Sequence, residues 1–129
     1  MFSLARSLQI EVHLVADLGS DGAVTSSRAS ADVWLEAELG PAQQRFALAH
    51  AIGHLIGWSE GEASTDATPL SREQYADAFA GALLIPKFML LPLVSVVQLS
   101  VEELVDAFEV PLDKMIERLA WVAGDRDDF

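Results

Sequence analysis

Alternating apolar and polar residues predict a small sheet in the first third of the chain. Residues Ile10 to Val15 alternate with a period of two, as in a half-buried strand, and Ala31 to Leu39 repeat the pattern. A turn at 19–22 and a weak strand over Ala23 to Ser27 lie between them, after a short helix over residues 2 to 9. The pattern therefore predicts an antiparallel sheet of two or three strands. The residues expected on its buried face are Ile10, Val12, Leu14, Val33, Leu35, Ala37 and Leu39.

Two long helices are predicted after the sheet. The first runs from about Ala42 to Ile56, where Pro41 suits the first helical position and Gly57 is a typical C-terminal stop. An acidic loop rich in Ser and Thr follows over residues 59 to 69. The second helix, residues 71 to 84, begins with a capping-box pattern at Ser71 and Gln74 and is stopped by Pro86.

Two shorter helices are predicted at the C-terminal end, before a tail at 125–129. Ser100 and Glu103 form a second capping-box pattern before a helix that ends at Phe108, and Pro111 opens the last helix. This pair resembles a helix-turn-helix, but Lys114 and Arg118 are balanced by acidic neighbours, so we expect a packing element and no DNA binding. The apolar stripe of the last helix is Leu112, Met115, Ile116, Leu119 and Val122.

Composition narrows the class of protein. The chain has 129 residues, of which 51% are hydrophobic, and this suits a single folded domain over residues 1–129. A formal net charge of −12 disfavours nucleic acids and acidic membrane surfaces as partners. The absence of cysteine excludes disulfides, cysteine zinc ligands and cysteine nucleophiles. With no signal peptide at its N-terminus, the chain is expected to be cytoplasmic.

The most apolar segment, Leu83 to Leu99, is interrupted by Pro86, Lys87 and Pro92 and is too short for a membrane-spanning helix. Its central part, Phe88 to Val97, carries apolar residues on every helical face. Two interpretations stay open: a central helix covered by its neighbours, or an exposed interaction surface, where the chain either forms a homo-oligomer or receives a segment of its substrate.

The residues that could bind a metal ion or take part in a reaction are two histidines and two acidic residues. His50 and His54 are four apart on a predicted helix, and Glu73 and Asp77 are four apart on the next one. Side chains at this spacing share a helix face and can reach one ion. Each pair alone is also typical of an ordinary helix surface, but together they predict a metal site with ligands His50, His54 and Glu73. Asp77 would accept the other ring N–H of a ligating histidine, and Gly53 leaves room beside the site for a ligand or another backbone.

The chain resembles the ImmA/IrrE zinc metallopeptidases in several ordered motifs. Residues Arg45 to Leu55, RFALAHAIGHL, are similar to the family signature R-F-x-L-A-H-E-x-G-H-L. Glu73 to Ala80 resembles E-x-x-A-[ND]-x-F-A, Leu83 to Pro86 resembles L-L-[MI]-P, and Phe108 to Leu119 fits F-x-V-x-x-x-x-M-x-x-R-L. The resemblance covers about Ala42 to Val122. It implies a zincin-like α+β fold, zinc as the cofactor, and His50, His54 and Glu73 as its ligands.

One position departs from the family signature. Where the family has the glutamate that acts as general base, this chain has Ala51. Because general acid–base assistance contributes roughly 10²–10⁴-fold, the chain is expected to be inactive as a peptidase while still binding zinc. The other motif residues are intact, which favours an introduced Glu→Ala substitution over a natural pseudoenzyme.

The resemblance also implies a partner. Members of the family cleave helix-turn-helix repressors, and the chain has no room for its own DNA-binding domain, so a separate repressor protein is the expected substrate. The alternative is a non-catalytic pseudopeptidase that binds a repressor or an antitoxin-like protein.

Overall fold

The computed structural model describes residues 1–26, 31–61 and 69–124, without the side chains of residues 26, 58–61 and 69–71. Most of the predicted acidic loop and the tail at 125–129 lie outside these residues. The elements in chain order are α1 (Phe2–Ser7), β1 (Ile10–Val15), β2 (Gly22–Ser26), β3 (Ala31–Glu36), α2 (Pro41–Gly61), α3 (Pro69–Leu84), α4 (Lys87–Ser95), α5 (Val101–Phe108) and α6 (Leu112–Ala123). This is the α+β architecture that the sequence predicts.

The sheet is mixed, so the prediction of an antiparallel sheet is wrong in part. Its three strands have the order β1-β3-β2, in which β2 is antiparallel to β3 and β1 is parallel to β3. Alternation along a strand identifies the strand and its faces but carries no information on which neighbour it pairs with. The central strand is β3, with β2 antiparallel to it on one side and β1 parallel to it on the other.

One face of the sheet packs against α2. Val33 and Leu35 of the central strand are fully buried and form one core cluster with Leu48 and Ile52 of α2. Leu14, which was expected to be buried, is 52% exposed, and it lies near the end of the edge strand β1. The predicted alternation also extends too far, since β3 ends at Glu36 and the exposed Ala37 and half-buried Leu39 follow it.

Helices α2 and α3 approach each other closely through two glycines of α2. A Cβ atom on Gly53 would lie 3.1 Å from the Cα atom of Ala76 and 3.2 Å from its carbonyl oxygen. A Cβ atom on Gly57 would lie 2.7 Å from the ring of Tyr75. The prediction that α2 stops at Gly57 is therefore wrong: the helix continues to Gly61, and Gly57 gives space to an aromatic ring.

The two predicted capping boxes have different outcomes. Helix α3 begins at Pro69, so Ser71 lies inside its first turn and is not the N-cap. At α5 the capping box is confirmed: the Glu103 N–H donates to the Ser100 hydroxyl at 3.1 Å, and the Ser100 N–H donates to the Glu103 carboxylate at 3.0 Å. These hydrogen bonds lower the pKa of Glu103.

Helix α6 buries a narrower stripe than its sequence predicts. Met115 is fully buried, and Leu119 and Val122 pack against the same cluster. Leu112 and Ile116 are about half exposed, which corrects their assignment to the buried stripe. Their place on the packed side is taken partly by Arg118, which is buried and donates from Nε to the Ile85 carbonyl oxygen at 3.0 Å.

The exposure of the Phe88–Val97 segment, which includes most of α4, decides whether neighbouring elements cover it. Leu90 is buried, but Phe88 and Val96 are more than three-quarters exposed, so neighbours do not cover the Phe88–Val97 segment on all sides. Among the described residues no single helix has the length and apolar character to cross a membrane. The pair Arg72–Leu84 and Lys87–Ser95, bent by 64°, meets those two criteria only when taken together.

Candidate metal centre

Three side chains converge in the cleft between α2 and α3. His50 and His54 lie one turn apart on α2, and Glu73 faces them from α3. The Glu73 carboxylate lies 2.6 Å from Nε2 of His54 with one oxygen and 3.0 Å from Nε2 of His50 with the other. The two Nε2 atoms are 3.1 Å apart. The structure thus brings together the three residues that the sequence predicts as ligands.

This arrangement of nitrogen and oxygen atoms fits a divalent ion. Ligands about 2.0–2.1 Å from a tetrahedral ion lie roughly 3.3 Å from one another, close to the separations seen here. Two imidazole nitrogens in direct contact can share one proton, but two protonated rings would repel each other. A cation between them and the carboxylate would satisfy all three atoms. His50, His54 and Glu73 form a group that could hold a metal ion.

Asp77 fixes the orientation of His50 from the opposite side of the ring. Its Oδ1 atom lies 2.7 Å from Nδ1 of His50. With the proton on Nδ1, the ring donates to Asp77, and Nε2 presents its lone pair to the cluster. Burial disfavours the charged His50 ring, but the hydrogen bond to Asp77 and the charges of Asp77 and Glu73 outweigh it and raise the pKa of His50. The same hydrogen bond lowers the pKa of Asp77.

Lys114 of α6 is the residue near the cluster that the sequence analysis did not assign to it. Its Nζ atom lies 3.8 Å from Oδ2 of Asp77, 3.5 Å from Oε2 of Glu117 and 5.1 Å from the ring centre of Phe46. Its positive charge contributes to the lowered pKa of Asp77. No sequence spacing links it to Asp77, because only the packing of α6 beside α3 brings the two residues together.

A cavity of about 690 Å³ opens beside the cluster. His50, His54, Glu73 and Asp77 lie along its wall, together with residues 20–24 at the start of β2 and residues 111, 113 and 114 at the start of α6. Ala51 also lines it, although only 3% of this residue is exposed. The position at which the family signature has glutamate therefore borders the cavity, and it offers a methyl group there.

A second cluster of similar composition lies on the outer face of the sheet. The side chain of His13 is 39% exposed there. Its Nε2 atom lies 3.0 Å from Oδ1 of Asp32 and 3.9 Å from Oε2 of Glu11. The ring stacks on Trp34, which pairs with His13 across the two parallel strands. By distance alone, Glu11, His13 and Asp32 could also hold an ion.

Comparison with known families agrees with this geometry. The model of the Peptidase_M78 family, described as the IrrE N-terminal-like domain, matches residues 8–120. The match runs from the sheet through α6 and includes the whole α2–α3 cluster. The chain therefore belongs to this metallopeptidase-like family, as its motifs indicate. No curated protein matches the chain at a significant level.

Proposed function

We propose that the chain is a zinc metallopeptidase domain of the ImmA/IrrE type, in which His50, His54 and Glu73 hold the ion. The observation that carries this proposal is the convergence of two imidazole nitrogens and one carboxylate, with contacts of 2.6, 3.0 and 3.1 Å, on the wall of a large cavity. Two histidines and one glutamate form a ligand set used by catalytic zinc, which keeps a position open for chemistry.

Each residue of the cluster has a separate task in this proposal. His50 and His54 provide neutral nitrogens, and Glu73 provides the negative charge. Asp77 holds the His50 ring in one orientation and one tautomer, and Lys114 lies against the second oxygen of Asp77. When bound, the zinc ion would act as a Lewis acid and activate water for attack on a peptide bond.

The sheet side of the cavity suits a peptide substrate. Ala23 and Val24 are consecutive residues of β2, so their side chains point to opposite faces of the sheet, yet both line the cavity. The cavity therefore follows the edge of the strand. Among the described strands β2 pairs only with β3, which leaves its other edge able to hydrogen-bond an extended peptide.

Ala51 decides whether the site can complete the reaction. A general base must lie within hydrogen-bonding reach of the group that it deprotonates, and the methyl group of Ala51 cannot accept a proton. We therefore propose that the chain as written holds zinc and binds its protein partner, a helix-turn-helix repressor, but does not cleave it. The second candidate, a natural pseudopeptidase that sequesters a repressor or an antitoxin-like protein, is favoured by the same residue.

The first experiment is elemental analysis of the purified chain beside the His50→Ala variant. The proposal predicts about one zinc ion per chain and loss of zinc in the variant. Absence of zinc from the unaltered chain would overturn the metallopeptidase assignment, because ligands that do not take up the ion cannot support its chemistry.

The variant Ala51→Glu separates the two candidates. If the site lacks only its base, this variant cleaves a repressor encoded beside it, with a gain of about 10²–10⁴-fold over the unaltered chain. If both proteins bind the repressor and neither cleaves it, the pseudopeptidase is correct. Zinc content is measured in both proteins, so that a loss of metal is not mistaken for a loss of chemistry.

A further inference from the structure

Two different parts of the chain each contribute a carboxylate to the lining of the cavity beside the cluster. Asp21 lies in the turn directly before β2, and Asp113 lies in the first turn of α6. Both residues are exposed, so their charges face whatever enters the cavity. They are separate from the metal-binding group, since neither belongs to the His50, His54 and Glu73 cluster.

The positive charge in the described lining of the cavity comes from Lys114. This charge lies between the carboxylates of Asp77 and Glu117, at 3.8 and 3.5 Å. Its field is therefore largely cancelled at short range, whereas Asp21 and Asp113 are exposed residues of the lining. The described lining carries four carboxylates, those of Asp21, Glu73, Asp77 and Asp113, so that Lys114 and a bound divalent ion together still leave it with a net charge of −1, in the same sense as the net charge of −12 on the whole chain.

The geometry points to a basic peptide segment as the occupant of this cavity. The inference rests on the proposed function, because it takes the bound molecule to be a peptide held along the β2 edge. A peptide paired with β2 in extended form sends alternate side chains to each face of the sheet. A lysine or arginine of that peptide then reaches Asp21 at the end of β2, and another reaches Asp113 on the α6 side.

The test compares two labelled peptides in fluorescence anisotropy with the zinc-treated chain. One peptide alternates lysine with threonine, and the other has glutamate in place of each lysine. Because Ala51 leaves no general base, binding is measured without cleavage. We expect the lysine peptide to bind at least about tenfold more tightly at low salt, with the difference shrinking as salt screens the charges.

Two double variants locate the effect. Asp21→Asn with Asp113→Asn removes two charges at the cavity and should weaken the lysine peptide about three- to tenfold. Glu102→Gln with Asp106→Asn removes the same charge from the exposed surface of α5, away from the cavity lining, and should change binding less than twofold.

Two outcomes overturn the inference. The first is equal affinity for the two peptides, and the second is equal weakening by the two double variants, which would assign the preference to net charge alone. Zinc content distinguishes this failure from failure of the proposed function. One ion per chain without a preference for lysine removes only the inference, whereas absence of zinc removes the metallopeptidase itself.

Discussion

The described residues contain two clusters of histidine and carboxylate side chains, and the two clusters differ in where they lie and in how their side chains are held. His50, His54 and Glu73 join two helices that are separated in the chain and line a cavity of about 690 Å³. Glu11, His13 and Asp32 join two paired strands on the outer face of the sheet. Ligand-type atoms approach one another within 4.8 Å in both groups.

The difference lies in how the side chains are held. In the helical cluster Asp77 fixes the His50 ring at 2.7 Å, and both histidines have only about a fifth of their side-chain surface exposed. In the sheet cluster the Glu11 carboxylate is 74% exposed and lies 3.9 Å from His13, a distance that water screens readily. Suitable atoms at suitable distances are therefore not enough, because a binding site also needs ordered ligands and a cavity for its substrate.

The strongest test of this difference removes one carboxylate from each cluster. Glu73→Gln should weaken zinc binding more than about 100-fold, because it removes a ligand and not merely a residue that orients one. Glu11→Gln should leave zinc affinity unchanged within about twofold. Competition with a chromophoric chelator measures both constants. Equal losses in the two variants would mean that zinc is shared between the clusters and that the helical site is not the principal one.

The next effect concerns the carboxylates that contact a histidine. Asp77→Asn should lower zinc affinity by about 10- to 100-fold, because His50 loses the acceptor that fixes its ring. Asp32→Asn makes the same change beside His13 and should have no effect on zinc affinity. The chelator competition applies here as well. An unaffected Asp77→Asn protein would show that the packing of α2 against α3 orients His50 without help.

A smaller effect is expected from the glycine that lets the two helices approach. Gly53→Ala would place a methyl group 3.1 Å from the Cα atom of Ala76, and overpacking of this kind costs about 1–3 kcal/mol of unfolding free energy. Gly40→Ala is the control, since nothing lies within 4 Å of its added Cβ atom. Urea denaturation of the zinc-free proteins measures both changes. Equal stability of the two variants would contradict the close contact of α2 and α3.

The smallest effect is the pH dependence of the zinc-free protein. The raised pKa of His50 adds stability that is present below its ordinary value of 6.5 and is lost as pH rises through the raised pKa. The lowered pKa of Asp77 adds stability that is present above its ordinary value of 3.8 and is lost as pH falls through the lowered pKa. Both contributions are present together between these two ordinary values.

Urea denaturation with chelator present should therefore show the largest stability difference between the unaltered chain and Asp77→Asn from about pH 4 to 6.5, and a smaller one above that range. In the variant, burial of His50 is opposed mainly by Glu73, so the pKa of His50 should fall, which an NMR titration of the ring measures directly. A difference in stability that does not change with pH would show that the pair contributes no linked protonation.

Much of the candidate site is local in origin and was therefore predictable. Residues four apart share a helix face, so the pairing of His50 with His54 and of Glu73 with Asp77 follows from the sequence alone. The α+β class and the Ser100–Glu103 capping box were predictable for the same reason, because alternation and capping act over a few residues. Ala51 was recognised only against the family signature, since an alanine on a helix carries no chemical signal.

Other features depended on contacts between distant parts of the chain. The parallel pairing of β1 with β3, the continuation of α2 through Gly57 and the exposure of α4 could not be deduced from periodicity. In each case a neighbouring element decided the outcome, as Tyr75 does for Gly57. The place of Lys114 beside Asp77 likewise depends on how α6 packs on α3.

By itself, the sequence determined which residues share a helix face or a strand face, because those periods are properties of the local backbone. It also determined the net charge and the lack of a general base at position 51. Only the tertiary structure decided that the two helix faces meet at hydrogen-bonding distance, that the β2 edge and the start of α6 complete the cavity, and that the His13 cluster stays on the surface. The physical reason is that these features arise from packing between elements far apart in the chain, where burial and close contact select one arrangement among many that the same local pattern allows.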